Sequence, residues 1–244
     1  MVPPKADLTP DVSKIEAALT RRTRAILVNS PNNPSGVIYP ASTFVELETL
    51  LARTSQPIVV ISDEPYKALV FDDVDPPEVP PLVTRTIVAT SWSKSLAIPG
   101  ERIGYLALSP RIPEAPALFE ACTFTSRVLG FVNAPALWQW VVAEVGDRVI
   151  DVAPYREKRD LIYEGLTRIG YQCVKPQGAF YVFPRTPIPD DVAFVRLLAE
   201  EGVLTVPGSG FGMPGHIRIS LTVERDTVVR ALSGFERAFR KARG

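Results

Sequence analysis

Residues 86–94, TIVATSWSK, join a short apolar run, Ile87–Ala89, to the polar segment Ser91-Trp92-Ser93-Lys94. An apolar run that ends in polar residues predicts a buried β-strand, here with Ser91 and Lys94 near its carboxyl end. Similar runs occur upstream in residues 25–28, AILV, and residues 58–62, IVVIS. Segments of helical periodicity, near 11–22 and 41–53, lie between these runs. The alternation predicts an α/β fold with a mostly parallel sheet covered by helices on both faces.

Polar residues of different chemistry follow three of the predicted strands. Asn33 lies in the turn NSPNNPSG at 29–36, Asp63 begins the segment DEPY at 63–66, and Ser91 begins SWSK. Ligands of open α/β sheets bind beyond the carboxyl ends of the strands. The sequence therefore predicts that Asn33, Asp63 and Ser91 share one rim of the sheet.

Lys94 is the candidate nucleophilic amine. A lysine that forms a Schiff base must lose its proton part of the time, which favours burial or a cationic neighbour. The other lysines lie in helical or turn contexts where a solvated charge is natural, whereas Lys94 closely follows an apolar run. A surface lysine at the end of a strand is the alternative interpretation.

A carboxylic acid, Asp63, and a phenol, Tyr66, precede Lys94 in the chain. A carboxylate at Asp63 could keep a pyridine nitrogen protonated, and the Tyr66 hydroxyl could donate to a ring oxygen. Asp63 could instead be a helix cap or turn residue, and Tyr66 a core residue.

The candidate anion-binding groups are Arg102, Ser91 and Arg218. Arginine offers a planar fork of donors, which suits phosphate and carboxylate. Strand alternation in residues 216–221, HIRISL, places Arg218 opposite the isoleucines, as a carboxylate-binding or a solvent-facing arginine would be. A surface location is the alternative for Arg102, and a plain turn residue for Asn33. His216, in the same stretch, is interpreted as structural.

The ordered set satisfies the requirements of pyridoxal 5'-phosphate. Lys94 offers an amine for the aldehyde, Asp63 a carboxylate for the ring nitrogen and Tyr66 a phenol for the ring oxygen. Arg102 offers a guanidinium for the phosphate. Each residue alone is ambiguous, but their order along the chain points to this cofactor.

Composition excludes several other classes of protein. The 244 residues are 46% hydrophobic, and Lys plus Arg balances Asp plus Glu at 27 each, which argues against nucleic-acid and anionic-membrane surfaces. Cys122 and Cys173 lack metal-ligand spacing, so we expect no metal site, reduced thiols and a cytoplasmic location. No secretory signal peptide is visible. The apolar stretch 128–145 contains polar residues, which favours a buried helix over a membrane span.

The pattern changes after about residue 115. A long helical segment reaches Gly170, and the tail then combines short strands, near 179–183 and 217–223, with helices near 191–200 and 227–241. We predict two domains: residues 1–150, a partial cofactor-binding large domain, and residues 151–244, a small α+β domain.

The motifs together resemble the class I/II aminotransferases of pyridoxal-phosphate fold type I, over nearly the whole chain. Residues 32–36, NNPSG, are similar to that family's Asn-Pro-[Ser/Thr]-Gly turn, with Ser30 where proline is more usual. DEPY, SWSK, GERIG at 100–104, VPGSGFG at 206–212 and RIS at 218–220 are similar to its other motifs.

The resemblance implies roles for these residues. Lys94 would bind the cofactor and move the substrate proton, Asp63 would pair with the pyridinium, and Tyr66 and Asn33 would bind the ring oxygen. Ser91 and Arg102 would hold the phosphate, with Ser93 as a further candidate. Arg218 would bind the α-carboxylate of an amino acid or 2-keto acid. The family also implies a homodimer.

The resemblance also carries an expectation about length. Family members have roughly a further third of their chain before the point that corresponds to the first residues here. We therefore expect this chain to be the C-terminal part of a longer enzyme that binds cofactor weakly and turns over slowly by itself. Two alternatives remain: a pyridoxal-phosphate carbon–sulfur lyase on the same fold, and a non-catalytic aminotransferase-like module.

Overall fold

The computed structural model describes all 244 residues. Its larger sheet contains four strands in the order β1-β2-β3-β4, of which the first three are parallel and the fourth is antiparallel to β3. The predicted mostly parallel sheet is confirmed. The strands are β1 (Ala25–Asn29), β2 (Val59–Asp63), β3 (Thr86–Ser91) and β4 (Gly104–Leu108).

Four helices accompany this sheet along the chain: α1 (Val12–Ala18), α2 (Ala41–Leu51), the short α3 (Val79–Leu82) and the single-turn α4 (Trp92–Ser95). Asp11 caps α1, because its side chain accepts a hydrogen bond from the backbone N–H of Lys14. The helix α2 buries Phe44 and Leu47, which are each 1% exposed. These packed helices hold the strands whose carboxyl ends form the predicted rim.

Two helices follow β4: α5 (Ala115–Val128) and α6 (Ala136–Val145). The prediction that residues 128–145 form a buried helix was wrong. The helix is confined to α6, and none of its residues is buried, with Trp140 78% exposed and Leu137 68% exposed. Apolar composition predicted burial, but burial requires a covering element, and no other part of this chain covers α6.

The C-terminal part is a second α+β assembly. Its three short strands form an antiparallel sheet in the order β5-β7-β6, beside three helices. The pairs α7·α9 and α8·α9 pack against each other. The elements are α7 (Ala153–Ile169), β5 (Tyr181–Val182), α8 (Asp191–Glu200), β6 (Val206–Pro207), β7 (Ile217–Ser220) and α9 (Arg225–Arg243).

Two hydrophobic clusters form the interior. One is built mainly from residues 8–83 with Phe183, and the other mainly from residues 162–239 with Tyr66 and Leu69. Each cluster therefore takes a contribution from the other side of residue 150. Division into domains 1–150 and 151–244 stays a prediction, and contacts across that boundary bear directly on the site. No helix has the length and apolarity needed to span a bilayer.

Candidate active site

Asp63 is the last residue of β2 and lies in register with Asn29, the last residue of β1. The Asn29 amide donates from Nδ2 to Oδ2 of Asp63 and to its main-chain oxygen, both over 3.0 Å. Burial raises the pKa of Asp63, the Asn29 hydrogen bond opposes that rise, and the neighbouring Glu64 charge adds to it. A carboxylate so placed is held in one orientation and lacks a cationic partner.

Asp63 lines an open hollow of about 950 Å³ at the carboxyl end of the sheet. Ser91 and Arg102 line the same hollow, together with Trp92 and Tyr105. The hollow therefore has a carboxylate on its wall and a hydroxyl and a guanidinium elsewhere in its lining. Three of the predicted site residues are thus brought together.

The backbone at Arg102 adopts a conformation that is uncommon for a residue other than glycine. Arg102 has φ 52°, in the left-handed region, and its Nη1 donates to the carbonyl oxygen of Pro99 over 2.7 Å. Just beyond it, Gly104 pairs with Ser91 across β3 and β4. A Cβ at Gly104 would lie 2.5 Å from the carbonyl oxygen of Thr90, so only glycine permits this close approach.

Lys94 lies on α4, directly after β3, and is not among the residues that line the hollow. Its Nζ lies 5.3 Å from the centroid of the Phe180 ring, which comes from the C-terminal assembly. Ser93 is on the same helical turn and does not line the hollow either. The Lys94 amine therefore lies between the larger sheet and an aromatic group formed by Tyr66, Phe180 and Tyr181.

Tyr66 belongs to that aromatic group. Its ring contacts Phe180 edge-on, with centroids 5.4 Å apart, and Tyr181 at 5.9 Å. Burial, and after it the hydrogen bond that the Tyr66 and Tyr181 hydroxyls share, raises the pKa of Tyr66. Its phenol therefore stays protonated at neutral pH and keeps a proton to donate. Pro65, the neighbour of Tyr66 in the chain, lines the hollow, so the hollow and the aromatic group adjoin.

Arg218 lies in the middle of β7, between the buried residues Ile217 and Ile219. Its Nη1 donates to Oδ1 of Asn33 over 3.1 Å. Its guanidinium carbon lies 4.5 Å from the Tyr181 ring centroid and 4.6 Å from that of Phe211. The guanidinium thus has one amide acceptor and two aromatic rings around it.

Four residues of this arrangement were not singled out from the sequence: Asn29, Phe180, Tyr181 and Phe211. The run Ala179–Phe183 predicted a strand, and nothing local distinguishes its aromatic side chains from core residues. Asn29 could have been found, because it ends an apolar run as Asp63 and Ser91 do.

Comparison with known proteins places this geometry in a family. The family model for aminotransferase class I and II matches residues 2–235. The chain belongs to the class I and II aminotransferases. Members of this family depend on pyridoxal 5'-phosphate. The predicted family resemblance is confirmed.

Two relatives illustrate the sequence similarity. The aspartate/prephenate aminotransferase of Thermus thermophilus is 34% identical over 249 residues, which cover 98% of this chain and 62% of that protein. The aspartate aminotransferase of Thermotoga maritima is 34% identical over 230 residues, covering 93% of this chain and 59% of that protein. This aminotransferase chain thus spans about 60% of the length of these curated relatives.

Solved structures agree on the fold. An aminotransferase from Eubacterium rectale superposes with a TM-score of 0.96 and 40% identity, covering 100% of this chain and 62% of that one. The Thermus thermophilus aspartate aminotransferase with maleate gives a TM-score of 0.82 at 30% identity, covering 96% of this chain and 62% of that one. The fold is pyridoxal-phosphate fold type I.

Proposed function

We propose that this chain carries cofactor-binding and substrate-binding residues of a pyridoxal 5'-phosphate-dependent aminotransferase, which moves an amino group between an α-amino acid and a 2-keto acid. The observation that carries the proposal is the shared hollow of about 950 Å³ lined by Asp63, Ser91 and Arg102. It lies at the carboxyl end of a parallel sheet, where open α/β folds bind ligands. Membership of the aminotransferase family supports the same conclusion.

The donor set suits the charges of the cofactor. Arg102 and Ser91 offer a guanidinium and a hydroxyl to a phosphate dianion. Asp63, whose pKa is raised by burial, offers its carboxylate to a pyridinium nitrogen, and Asn29 holds it in orientation. Tyr66 keeps a phenolic proton for the ring oxygen.

Pyridoxal phosphate, when bound, supplies an aldehyde and an electron-withdrawing ring that make the α-proton of an amino acid labile. In the proposal, Lys94 would provide the amine for the cofactor aldehyde and would accept and return the substrate α-proton at its Nζ. Asp63 keeps the ring nitrogen protonated. Arg218 and Asn33 bind the α-carboxylate and so orient the α-carbon. Ser93 is proposed as a further residue that holds the cofactor phosphate.

The test is the visible absorbance band that appears when pyridoxal 5'-phosphate is added to the chain. We expect a band that Lys94→Ala abolishes and that Lys14→Ala, which alters an exposed lysine on α1, leaves intact. Borohydride reduction and mass spectrometry of peptides should locate the pyridoxyl group on Lys94. A band of equal strength in the Lys94→Ala protein would contradict the proposal.

A second assay identifies the reaction. An amino acid and 2-oxoglutarate are supplied to the loaded protein, and the new keto acid is measured beside ammonia and pyruvate. Transamination predicts a keto acid in step with glutamate. Ammonia without glutamate would overturn transamination in favour of elimination.

We also propose that the working enzyme is a cytoplasmic homodimer. Both cysteines are free, which suits a reducing compartment, and α5 and α6 expose large apolar side chains, which suits a protein interface. Sedimentation of the protein at several concentrations tests the dimer, and a monomer throughout would contradict it.

A further inference from the structure

Tyr181 is the one side chain that contacts both the Arg218 and the Tyr66 parts of the site. Its ring face lies 4.5 Å from the guanidinium carbon of Arg218, and its hydroxyl oxygen lies 3.4 Å from that of Tyr66. The side chain is only 8% exposed, so both contacts are made away from bulk water. Tyr181 therefore connects the carboxylate end of the proposed site with the ring-oxygen end.

The Arg218 guanidinium has three side-chain neighbours. Tyr181 and Phe211 contact it at 4.5 Å and 4.6 Å, and Asn33 accepts from Nη1. Aromatic contacts fix the orientation of a guanidinium and leave its in-plane N–H groups as donors. A planar carboxylate is the ligand that such donors match, because it accepts two parallel hydrogen bonds in that plane.

The backbone holds Tyr181 in a fixed position relative to both partners. Tyr181 pairs with Ser220 across β5 and β7, the strand that carries Arg218. Two residues earlier, the buried Ala179 has φ 58°, and its N–H donates to the carbonyl oxygen of Leu69 over 2.8 Å. A non-glycine residue in the left-handed region persists only where its surroundings enforce it. The segment before Tyr181 is thus fastened to the residues that follow Tyr66.

We propose that Tyr181 is a positioning residue that serves both ends of the site. Its ring, together with that of Phe211, fixes the Arg218 guanidinium plane for a carboxylate, and its hydroxyl orients the Tyr66 phenol toward the cofactor ring oxygen. The part concerning the phenol rests on the proposed function. The part concerning the guanidinium is independent of the cofactor.

Two separate measurements test the two contacts. Propionate binding to cofactor-free protein, followed by NMR titration, measures the carboxylate end. The dissociation constant for pyridoxal 5'-phosphate, from the visible band, measures the ring-oxygen end. Three variants are compared. Tyr181→Phe removes the hydroxyl and keeps the ring, and Phe211→Leu removes the second aromatic ring beside Arg218. Tyr181→Leu removes both the ring contact with Arg218 and the hydroxyl contact with Tyr66. Tyr39→Phe is the matched control, because Tyr39 is a buried tyrosine of the other hydrophobic cluster.

The variants should separate the two effects. Tyr181→Phe should weaken cofactor binding about threefold or more, the effect of one lost hydrogen bond, and leave propionate affinity unchanged. Phe211→Leu should weaken propionate binding about fivefold, the effect of one lost aromatic contact, and leave cofactor affinity unchanged. Tyr181→Leu should weaken both, and Tyr39→Phe neither.

Other outcomes would overturn the proposal. If Tyr181→Phe changes cofactor affinity no more than Tyr39→Phe does, the hydroxyl has no positioning role. If Phe211→Leu and Tyr181→Phe weaken both ligands in proportion to a fall in thermal stability, the side chains are merely structural. Absence of pyridoxyl from Lys94 in the parent protein would refute the proposed function, while the propionate titration would still decide the role of the aromatic rings.

Discussion

The Arg218 guanidinium donates a hydrogen bond to the Asn33 side chain over 3.1 Å, although 185 positions separate them in the chain. The bond joins β7 of the C-terminal assembly to the loop that follows β1. Asn33 is itself held, because its N–H donates to Oδ1 of Asn29 over 2.7 Å. Since Asn29 also holds Asp63, one short series of amides links the proposed carboxylate-binding arginine with the proposed pyridinium partner.

The first prediction concerns the parallel N–H donors of the Arg218 guanidinium. Arg218→Lys should weaken propionate binding about tenfold, because an ammonium is a single point donor and cannot present two parallel N–H groups. NMR titration measures the loss. Arg230→Lys, on the exposed surface of α9, should bind propionate as the parent does. Equal affinity in the Arg218→Lys protein would show that Arg218 does not bind the carboxylate.

The second prediction concerns the cost of keeping Asp63 ionised. Its pKa in the folded protein is raised, so at neutral pH the charged carboxyl is destabilised relative to the unfolded chain. Asp63→Asn keeps an acceptor for Asn29 and removes the charge. We expect cofactor-free Asp63→Asn protein to melt about 2 °C above the parent at pH 7 and to bind pyridoxal 5'-phosphate more weakly. A lower melting temperature would contradict the assigned cause of the pKa shift.

The third prediction concerns His216, the only histidine. Its ring stacks on Phe183 with centroids 5.0 Å apart and planes at 11°. Burial lowers its pKa below the ordinary value of 6.5, with the charge of Arg185 acting in the same direction. A base with a lowered folded pKa contributes its full stability above 6.5 and loses it as the pH falls toward the folded pKa.

The free energy of unfolding should therefore decline as the pH falls from about 7 toward the folded pKa of His216, and His216→Gln should flatten this decline. Urea titrations at several pH values measure it. The single imidazole signal in NMR should titrate below 6.5, and a midpoint above 6.5 would refute the prediction.

The fourth prediction concerns Arg159 on α7, a fully buried cation. Asp72 accepts two hydrogen bonds from its Nη1 and Nη2, over 2.8 and 2.7 Å. Asp160 lies 2.8 Å from Nε, but that pair is not aligned for a hydrogen bond. Removing one partner of a buried pair leaves an uncompensated charge.

Asp72→Ala should therefore lower the free energy of unfolding by about 2–4 kcal/mol, and Asp160→Ala by distinctly less. Chemical denaturation of the two variants provides the comparison. Equal losses would show that the two carboxylates share the buried charge evenly.

Several features of the fold were predictable because their causes are local. Three strands of the larger sheet, β1, β2 and β3, were predicted within a residue or two, since the strands of parallel sheets are typically continuous apolar runs. Asp63 and Ser91 end two of these strands, so their common rim followed from parallel pairing. The antiparallel direction of β4 has no local signature, and the sequence did not predict it.

Features that depend on distant partners were beyond the sequence. Tyr181 contacts Arg218 through the pairing of β5 with β7, and Tyr66 through folding of the C-terminal assembly onto the larger sheet, and no spacing in the chain encodes either approach. The exposure of α6 was also not predictable locally. Its apolar composition shows that the helix can bury a surface, but it does not show whether another element packs against it. Lys94 was correctly expected to follow β3, but its approach to Phe180 depends on the same long-range packing.

The larger sheet ends on one side at β1 and on the other at β4, so each outer strand has one side without a strand partner. Such edge strands offer unpaired backbone N–H and C=O groups to any extended peptide, including the same strand of a neighbouring molecule. At high concentration, this polypeptide should therefore associate by pairing of edge strands between molecules. Lysine substitutions along β1, beginning at Leu27, which is 68% exposed, should improve its solubility.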